Sequence, residues 1–326
     1  MKRITKTLAY SLMGAGMMLS ATASASTPYP EKAVRVVLPF AAGGPTDAIG
    51  RVVATQMGKE LGKPLVIETK PGASGTVGAG DVARAKPDGY TLLMNASVQV
   101  IYPGQFAKLN FDPMGDFTPI GVLGTVPMVA VIPSNSKFKT FKELVDHAKA
   151  NPDDISFASP GKATLPHLVG EFVNLEAKTK MVHIGYRGTA PALTDVAGGH
   201  VDLFYAPLAP ALPLIQSGRL IPVAVSTQKR IPQLPEVPTI AESLNLKEFD
   251  VVTWYGMWAP KGTPAEIITK LNKAMVNASK APEVAVVLDG QGTTPSNMDA
   301  EQTAVFAQAE NVKWLQVMKD ANIQPD

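Results

Sequence analysis

The chain predicts an α/β protein of two lobes, each a helix-covered and mostly parallel sheet. Three observations carry this expectation. Short apolar runs alternate with segments of helical period. The runs are apolar throughout rather than at every second residue, as strands are when helices cover both faces. Glycine-rich loops follow several of the runs, where a strand must turn into a helix.

The elements follow in order. Val34-Arg35-Val36-Val37-Leu38-Pro39 reads as the first strand, 65–69 as the second and 91–94 as the third. Later strands are expected at 126–132, 155–158, 181–184, 201–205, 222–226 and 251–258. Ile49, Val52, Val53, Met57 and Leu61 form one helical stripe; Phe141, Leu144, Val145 and Ala148 form another. Thr263-Pro264-Ala265-Glu266 reads as a helix start, with Thr263 as cap and Glu266 closing a capping box, and Ile267, Ile268, Leu271 and Met275 following as its buried face. A final helix is expected over 299–320 with Val305, Ala309, Val312 and Leu315 inward.

The first residues set the expected compartment. Lys2, Arg3 and Lys6 precede an apolar stretch of small residues, and Ala23-Ser24-Ala25 offers a cleavage site. Residues 1–25 therefore read as a secretory signal peptide, shorter in its apolar core than the roughly 20 residues a spanning helix needs. The mature chain is expected in the periplasm, with no membrane span. There is no cysteine, so disulfides and thiol chemistry are excluded. The chain has 30 basic and 28 acidic residues; without the three leader cations it has 27 against 28, a charge that does not suit nucleic acid. One lobe is expected from 26–127 and 250–326 and the other from 128–249, joined by crossings near 125–131 and 249–258.

The loops carry the functional reading. Phe40-Ala41-Ala42-Gly43-Gly44 and Asp47 join the first strand to the first helix, Ala73-Ser74-Gly75-Thr76 follow the second strand, and Ser159 to Thr164 follow a later one. Glycines admit a ligand close to the backbone, and N–H groups at a helix start favour an anion. Nucleotide motifs fail on particular positions. Gly75-Thr76-Val77-Gly78-Ala79-Gly80 is not G-x-G-x-x-G, and Gly161-Lys162 is followed by Ala163 rather than Ser or Thr. His147, His167, His183 and His200 form no metal or catalytic spacing, so no metal, cofactor or catalytic residue is expected. His147 reads as a solvated helix residue. For His167, donation to a ligand and support of its loop both stand.

These loops, in this order, closely resemble the tripartite tricarboxylate transporter substrate-receptor family, TctC or Bug. The resemblance runs from Tyr29-Pro30-Glu31-Lys32 through Pro39-Phe40-Ala41-Ala42-Gly43-Gly44-Pro45-Thr46-Asp47, Pro71-Gly72-Ala73-Ser74-Gly75 and Pro87-Asp88-Gly89-Tyr90-Thr91-Leu92. It continues through Phe111-Asp112-Pro113, Tyr186-Arg187-Gly188, Leu234-Pro235-Glu236-Val237-Pro238-Thr239, Trp254-Tyr255-Gly256 and Ala259-Pro260-Lys261-Gly262-Thr263-Pro264. It implies a type II-like periplasmic binding protein with a ligand between the lobes. It further implies a non-enzymatic, monomeric receptor that passes a small carboxylate or dicarboxylate to membrane transporter subunits. A periplasmic enzyme acting on an organic acid and a sensing receptor are the alternatives. By resemblance, Ser97, Ser159, Thr164, His167, Tyr186 and Arg187 join the two glycine loops as cleft residues. The chain departs from the family at Gly185, where proline is common, at Arg187 in place of lysine, at Lys162-Ala163, and at Ile101-Tyr102-Pro103-Gly104, which lacks Asn-Pro.

Overall fold

The computed structural model describes residues 29–325; the expected leader lies outside them. The first half runs β1 (Val34–Leu38), α1 (Pro45–Leu61), β2 (Leu65–Thr69), α2 (Thr76–Ala83), β3 (Thr91–Ala96), α3 (Tyr102–Gln105) and the long β4 (Phe117–Pro133). The second runs α4 (Phe141–Ala150), β5 (Ser156–Ser159), α5 (Leu165–Ala177), β6 (Val182–Gly185), α6 (Thr189–Ala197), β7 (Leu203–Pro207), α7 (Leu208–Gln216), β8 (Leu220–Val225) and α8 (Ile240–Leu244). The chain returns through β9 (Val252–Pro260), α9 (Ala265–Ser279), α10 (Pro282–Gly290), β10 (Thr294–Pro295) and α11 (Ala300–Asp320).

The strands lie in the order β2-β1-β3-β9-β4-β7-β5-β6, with β8 and β10 also on β4. Each half holds three parallel strands, β2-β1-β3 and β7-β5-β6. Between them the sheet is antiparallel: β9 runs against β3 and β4, and β4 against β7 and β8. The expectation of mostly parallel sheets therefore holds for the flanks and not for the centre. An apolar run reports burial on both faces and says nothing about strand direction, so the central pair was not distinguishable.

β4 passes from one half to the other. Phe117 to Pro127 pair with β9, and Met128 to Pro133 pair with β7 and β8. Only 126–132 was expected as strand. The earlier part carries Pro119, Gly121 and Gly124, and its register slips at two places beside them. Bulges of this kind spoil the sequence pattern of a strand without ending it. At the crossing, Ser226 links both strands. Its N–H donates to the Met128 carbonyl at 2.9 Å, and the Met128 N–H donates to Ser226 Oγ at 3.0 Å. Ser226 Oγ donates to the Val251 carbonyl at 2.5 Å, and the Val251 N–H returns to the Ser226 carbonyl at 2.9 Å.

α1 and α4 bury the expected stripes, Ile49, Val53 and Met57 in one and Phe141, Leu144, Val145 and Ala148 in the other. Two helix details differ from expectation. In α9 the cap position is Pro264, and Thr263 Oγ1 donates backward to the Pro260 carbonyl at 2.8 Å. Thr263 thus stands one residue before the cap position, and proline at that position has no side-chain acceptor, so no capping box forms there. α11 has the expected bounds and a capping box of Asp299 with Gln302, but its inward face is Thr303, Ala307, Glu310, Asn311, Trp314, Val317 and Met318. Val305 and Val312 are 68% and 59% exposed and Ala309 is exposed too, so of the expected stripe only Leu315 packs on the core. Polar residues on the buried face hid it: Asn311 Nδ2 donates to the Val100 carbonyl at 2.6 Å, and Trp314 Nε1 to Glu310 Oε2 at 3.0 Å.

α11 thereby ties both halves together. Asn311 holds the turn after β3, while the Trp314 ring meets Phe172 of α5 edge-on at 6.2 Å. Phe172 in turn stacks on Phe249, just before β9, at 5.0 Å. Replacing the fully buried Trp314 with alanine is expected to destabilise the protein by about 3–5 kcal/mol, read as a lower urea midpoint. A loss below about 1 kcal/mol would show that α11 does not join the two halves energetically.

Candidate functional site

A cavity of about 720 Å³ opens where both halves meet the crossing strands. Its lining comes from several helix amino ends. Gly43, Gly44 and Ala48 belong to the start of α1, Thr189 and Leu193 to α6, and Ala209 and Pro210 to α7. Val126 of β4 and Thr253 and Tyr255 of β9 complete it from the crossing, with Gln291 beyond α10. None of the residues lining it is charged. The first-turn N–H groups of a helix have no partner within it, and they carry the positive end of its dipole. The site can therefore hold an anion without a cationic side chain.

The first loop is built by Asp47. Gly43 takes φ +87°, a left-handed conformation open to glycine, and its N–H donates to Asp47 Oδ2 at 2.9 Å. Arg51, 2.9 Å from Asp47 Oδ1, and then this Gly43 N–H hold the Asp47 carboxyl below its usual range. The Gly43 N–H is thus committed to its own loop, and Asp47 shapes the loop rather than facing the cavity. Gly44 is the cap residue of α1 with an ordinary extended backbone, and Pro45 after it has no N–H to give. Phe40 is half-buried and Ala41 and Ala42 are exposed on the same loop. They are not among the residues lining the cavity.

The second loop is strained and tied down. Ala73, Ser74 and Gly75 take φ of 43°, 54° and 98° in succession, before Thr76 opens α2. Two non-glycine residues in this region cost free energy that the surroundings must supply. The Tyr102 hydroxyl does so by donating to the Ser74 carbonyl at 3.0 Å, and Asn95 Nδ2 supports that hydroxyl at 3.2 Å. A Cβ on Gly75 would come within 2.5 Å of the Tyr102 hydroxyl and 3.3 Å of Pro39, so this loop abuts the base of the first. It borders a separate hollow with Phe106 and Lys108, not the cavity. Ser97 is buried at the end of β3.

In the other half, the expected side chains hold the loop between β5 and α5. Ser159 Oγ lies 2.9 Å from the Gly161 carbonyl and 2.6 Å from His183 Nε2. Thr164 Oγ1 donates to the Gly161 carbonyl at 2.7 Å, and the Ala163 N–H donates to His167 Nδ1 at 2.9 Å. Of the two roles open for His167, the structure shows the loop-holding one. With Nδ1 accepting, its proton sits on Nε2, 3.4 Å from Glu171 Oε1. This loop supports the cavity indirectly, because the Gly188 N–H ahead of α6 donates to the Pro160 carbonyl at 3.2 Å. The Tyr186 hydroxyl is bound to Asp195 Oδ2 at 2.8 Å, and Arg187 is exposed.

Of the expected site residues, only Gly43 and Gly44 line the cavity. Asp47, Ser159, Thr164 and His167 hold loops behind it, and the others lie on or beside those loops without lining it. Sequence reasoning did not name Thr189, Leu193, Thr253, Tyr255 or Gln291. Gly188-Thr189 was legible as a helix start, and Tyr255 lies in a family-like segment. Nothing local marked the others. Among the described residues no group of His, Asp and Glu is placed to hold a metal ion.

Two α/β halves joined by paired long strands, with an uncharged cavity at the junction, define a solute-binding protein. The model of the tripartite tricarboxylate transporter family receptor, TctC, matches residues 49–323, and the chain belongs to this family, one of solute-binding receptors rather than enzymes. The structure of the periplasmic binding protein BugD is 36% identical, covering 91% of this chain and all of that one, with a TM-score of 0.75. Rpa4515 of R. palustris with adipate is 30% identical over 91% of this chain and all of its own, at a TM-score of 0.78. MatC of Rhodopseudomonas palustris with bound malate is 31% identical over 89% of this chain and 99% of its own, at 0.72.

The loop-holding histidines predict a pH response. The His167 and His183 rings stack at 3.6 Å, with Glu171 of α5 near both. Burial first, and then His167, lowers the His183 pKa to about 4. The unfolded chain then takes up this proton before the folded one as pH falls below about 6.5. Stability from this site is complete above that pH and is lost progressively down to about 4. Melting curves across this window should show the loss, and His183→Gln should flatten it. An equal slope in both proteins would remove His183 as the cause.

Proposed function

We propose that this protein captures a small organic acid, a carboxylate or dicarboxylate, in the cavity at the crossing and delivers it to a tripartite tricarboxylate-type membrane transporter. One observation carries the reading: the amino ends of α1, α6 and α7 meet at a cavity with no charged lining residue. An anion gains from such ends where a cation would lose. The malate and adipate of the solved neighbours agree with that chemistry. The family and the leader-like start support a periplasmic location. In this reading 26–127 with 250–326 form one lobe and 128–249 the other, and the mature protein works as a monomer.

Calorimetry over a panel of organic acids tests the reading, with two variants to locate the anion. Gly44 has φ −81°, and a Cβ there would meet nothing closer than the Ala41 carbonyl at 3.8 Å. Gly44→Val should fold normally and lower affinity by about tenfold or more, because its bulk covers the helix end. Lys162→Ala should stay within about twofold. Gly43→Val is the stability control: its positive φ should cost roughly 1–2 kcal/mol. Full affinity in Gly44→Val with none in Lys162→Ala would replace the backbone cradle with a charged clamp.

The two-strand crossing also predicts closure of the lobes on the acid. Saturating ligand should reduce the radius of gyration in small-angle scattering. Free and liganded crystal forms with the same lobe orientation would count against it.

A further inference from the structure

Of the polar side chains that line the cavity, that of Tyr255 is the most buried. Its side chain lines the cavity and is 6% exposed, yet its hydroxyl has no hydrogen-bonding partner among the described residues. Its backbone is fixed from both sides, since β9 places Tyr255 opposite Ala96 of β3 and Gly124 of β4. Burial pushes its pKa up to about 12, so the hydroxyl remains a donor at neutral pH. Without a partner among the described residues and opening on the cavity, the hydroxyl is available to donate to whatever enters.

The neighbouring walls narrow what that acceptor can be. Val126, Leu193 and Leu214 offer the cavity only hydrocarbon. The Thr194 hydroxyl, also at the wall, is committed to the Ala190 carbonyl at 3.0 Å. Thr189, Thr253 and Gln291 also line the cavity but are only half-buried, so a ligand anchored by one carboxylate at the helix ends passes an apolar stretch and meets in Tyr255 the most buried side-chain donor of the wall.

Resting on the carboxylate reading above, we infer that Tyr255 is a specificity-determining residue and that the ligand is a dicarboxylate with a hydrocarbon middle, its second carboxylate accepting from the Tyr255 hydroxyl. A rigid donor costs little ordering on binding, and a hydrogen bond to a charged acceptor is the stronger kind. The pairing also discriminates against acids lacking the second group, because they leave the hydroxyl unpaired.

Adipate and hexanoate share a six-carbon chain and differ in one carboxylate, so they isolate this contact. In calorimetry the unaltered protein should bind adipate at least about tenfold more tightly than hexanoate. Tyr255→Phe removes only the hydroxyl. It should weaken adipate by about tenfold or more and leave hexanoate within about twofold. Its melting temperature should not fall, because no partner within the protein is lost. Adipate affinity unchanged in Tyr255→Phe, or an equal loss for both acids, would overturn the assignment while leaving carboxylate capture standing. If the unaltered protein binds none of adipate, malate and hexanoate, carboxylate capture fails and the Tyr255 assignment fails with it.

Discussion

The architecture depends on the antiparallel pairing of β4 with β9 and on Ser226, which closes the end of that pairing. β4 leaves β9 at Pro127 and takes up β7 and β8 from Met128 onward. At that change of partner, backbone groups would otherwise lose their sheet bonds inside the protein. Ser226 supplies both donor and acceptor to Met128 and Val251, and it is fully buried. Unpaired backbone groups at such a place would cost about 1–3 kcal/mol each. Where the crossing lies decides where the helix ends meet, and so where a ligand can sit.

The cavity handles charge through the backbone. An ionised side chain buried there would need a permanent partner, at a desolvation cost that often exceeds the gain. Helix ends avoid this, since their unpaired donors are left over by helix geometry itself. The polar side chains near the site instead hold loops: Asp47 binds Gly43, Tyr102 binds Ser74, and His167 binds Ala163. Each restrains a residue at or beside a left-handed conformation, which the chain would otherwise avoid. Selectivity then falls to the few groups that are not committed this way, with Tyr255 foremost.

The strand-helix alternation was legible because burial on two faces writes itself into local composition. β1, β2 and β3 start where the apolar runs start, and α1 and α4 bury their expected stripes. α11 shows where such reading ends. Its valines form a clear stripe and face outward, while Asn311, Glu310 and Trp314 face inward because each finds a hydrogen bond there. Burial of a polar group depends on its partner, and the partner of Asn311 is Val100, far away in the chain.

The sequence by itself determined the α/β class, the family, the loops that follow the strands and the absence of disulfide chemistry. These rest on local composition and on motif order, both readable along one dimension. The tertiary structure alone decided that the central strands are antiparallel, that Ser159, Thr164 and His167 serve their loop, and that Tyr255 lines the cavity with a free hydroxyl. A hydrogen bond is settled by distance and direction between groups that folding brings together. Which hydroxyls are already satisfied, and which stay uncommitted at the cavity, is therefore fixed only when the chain has closed.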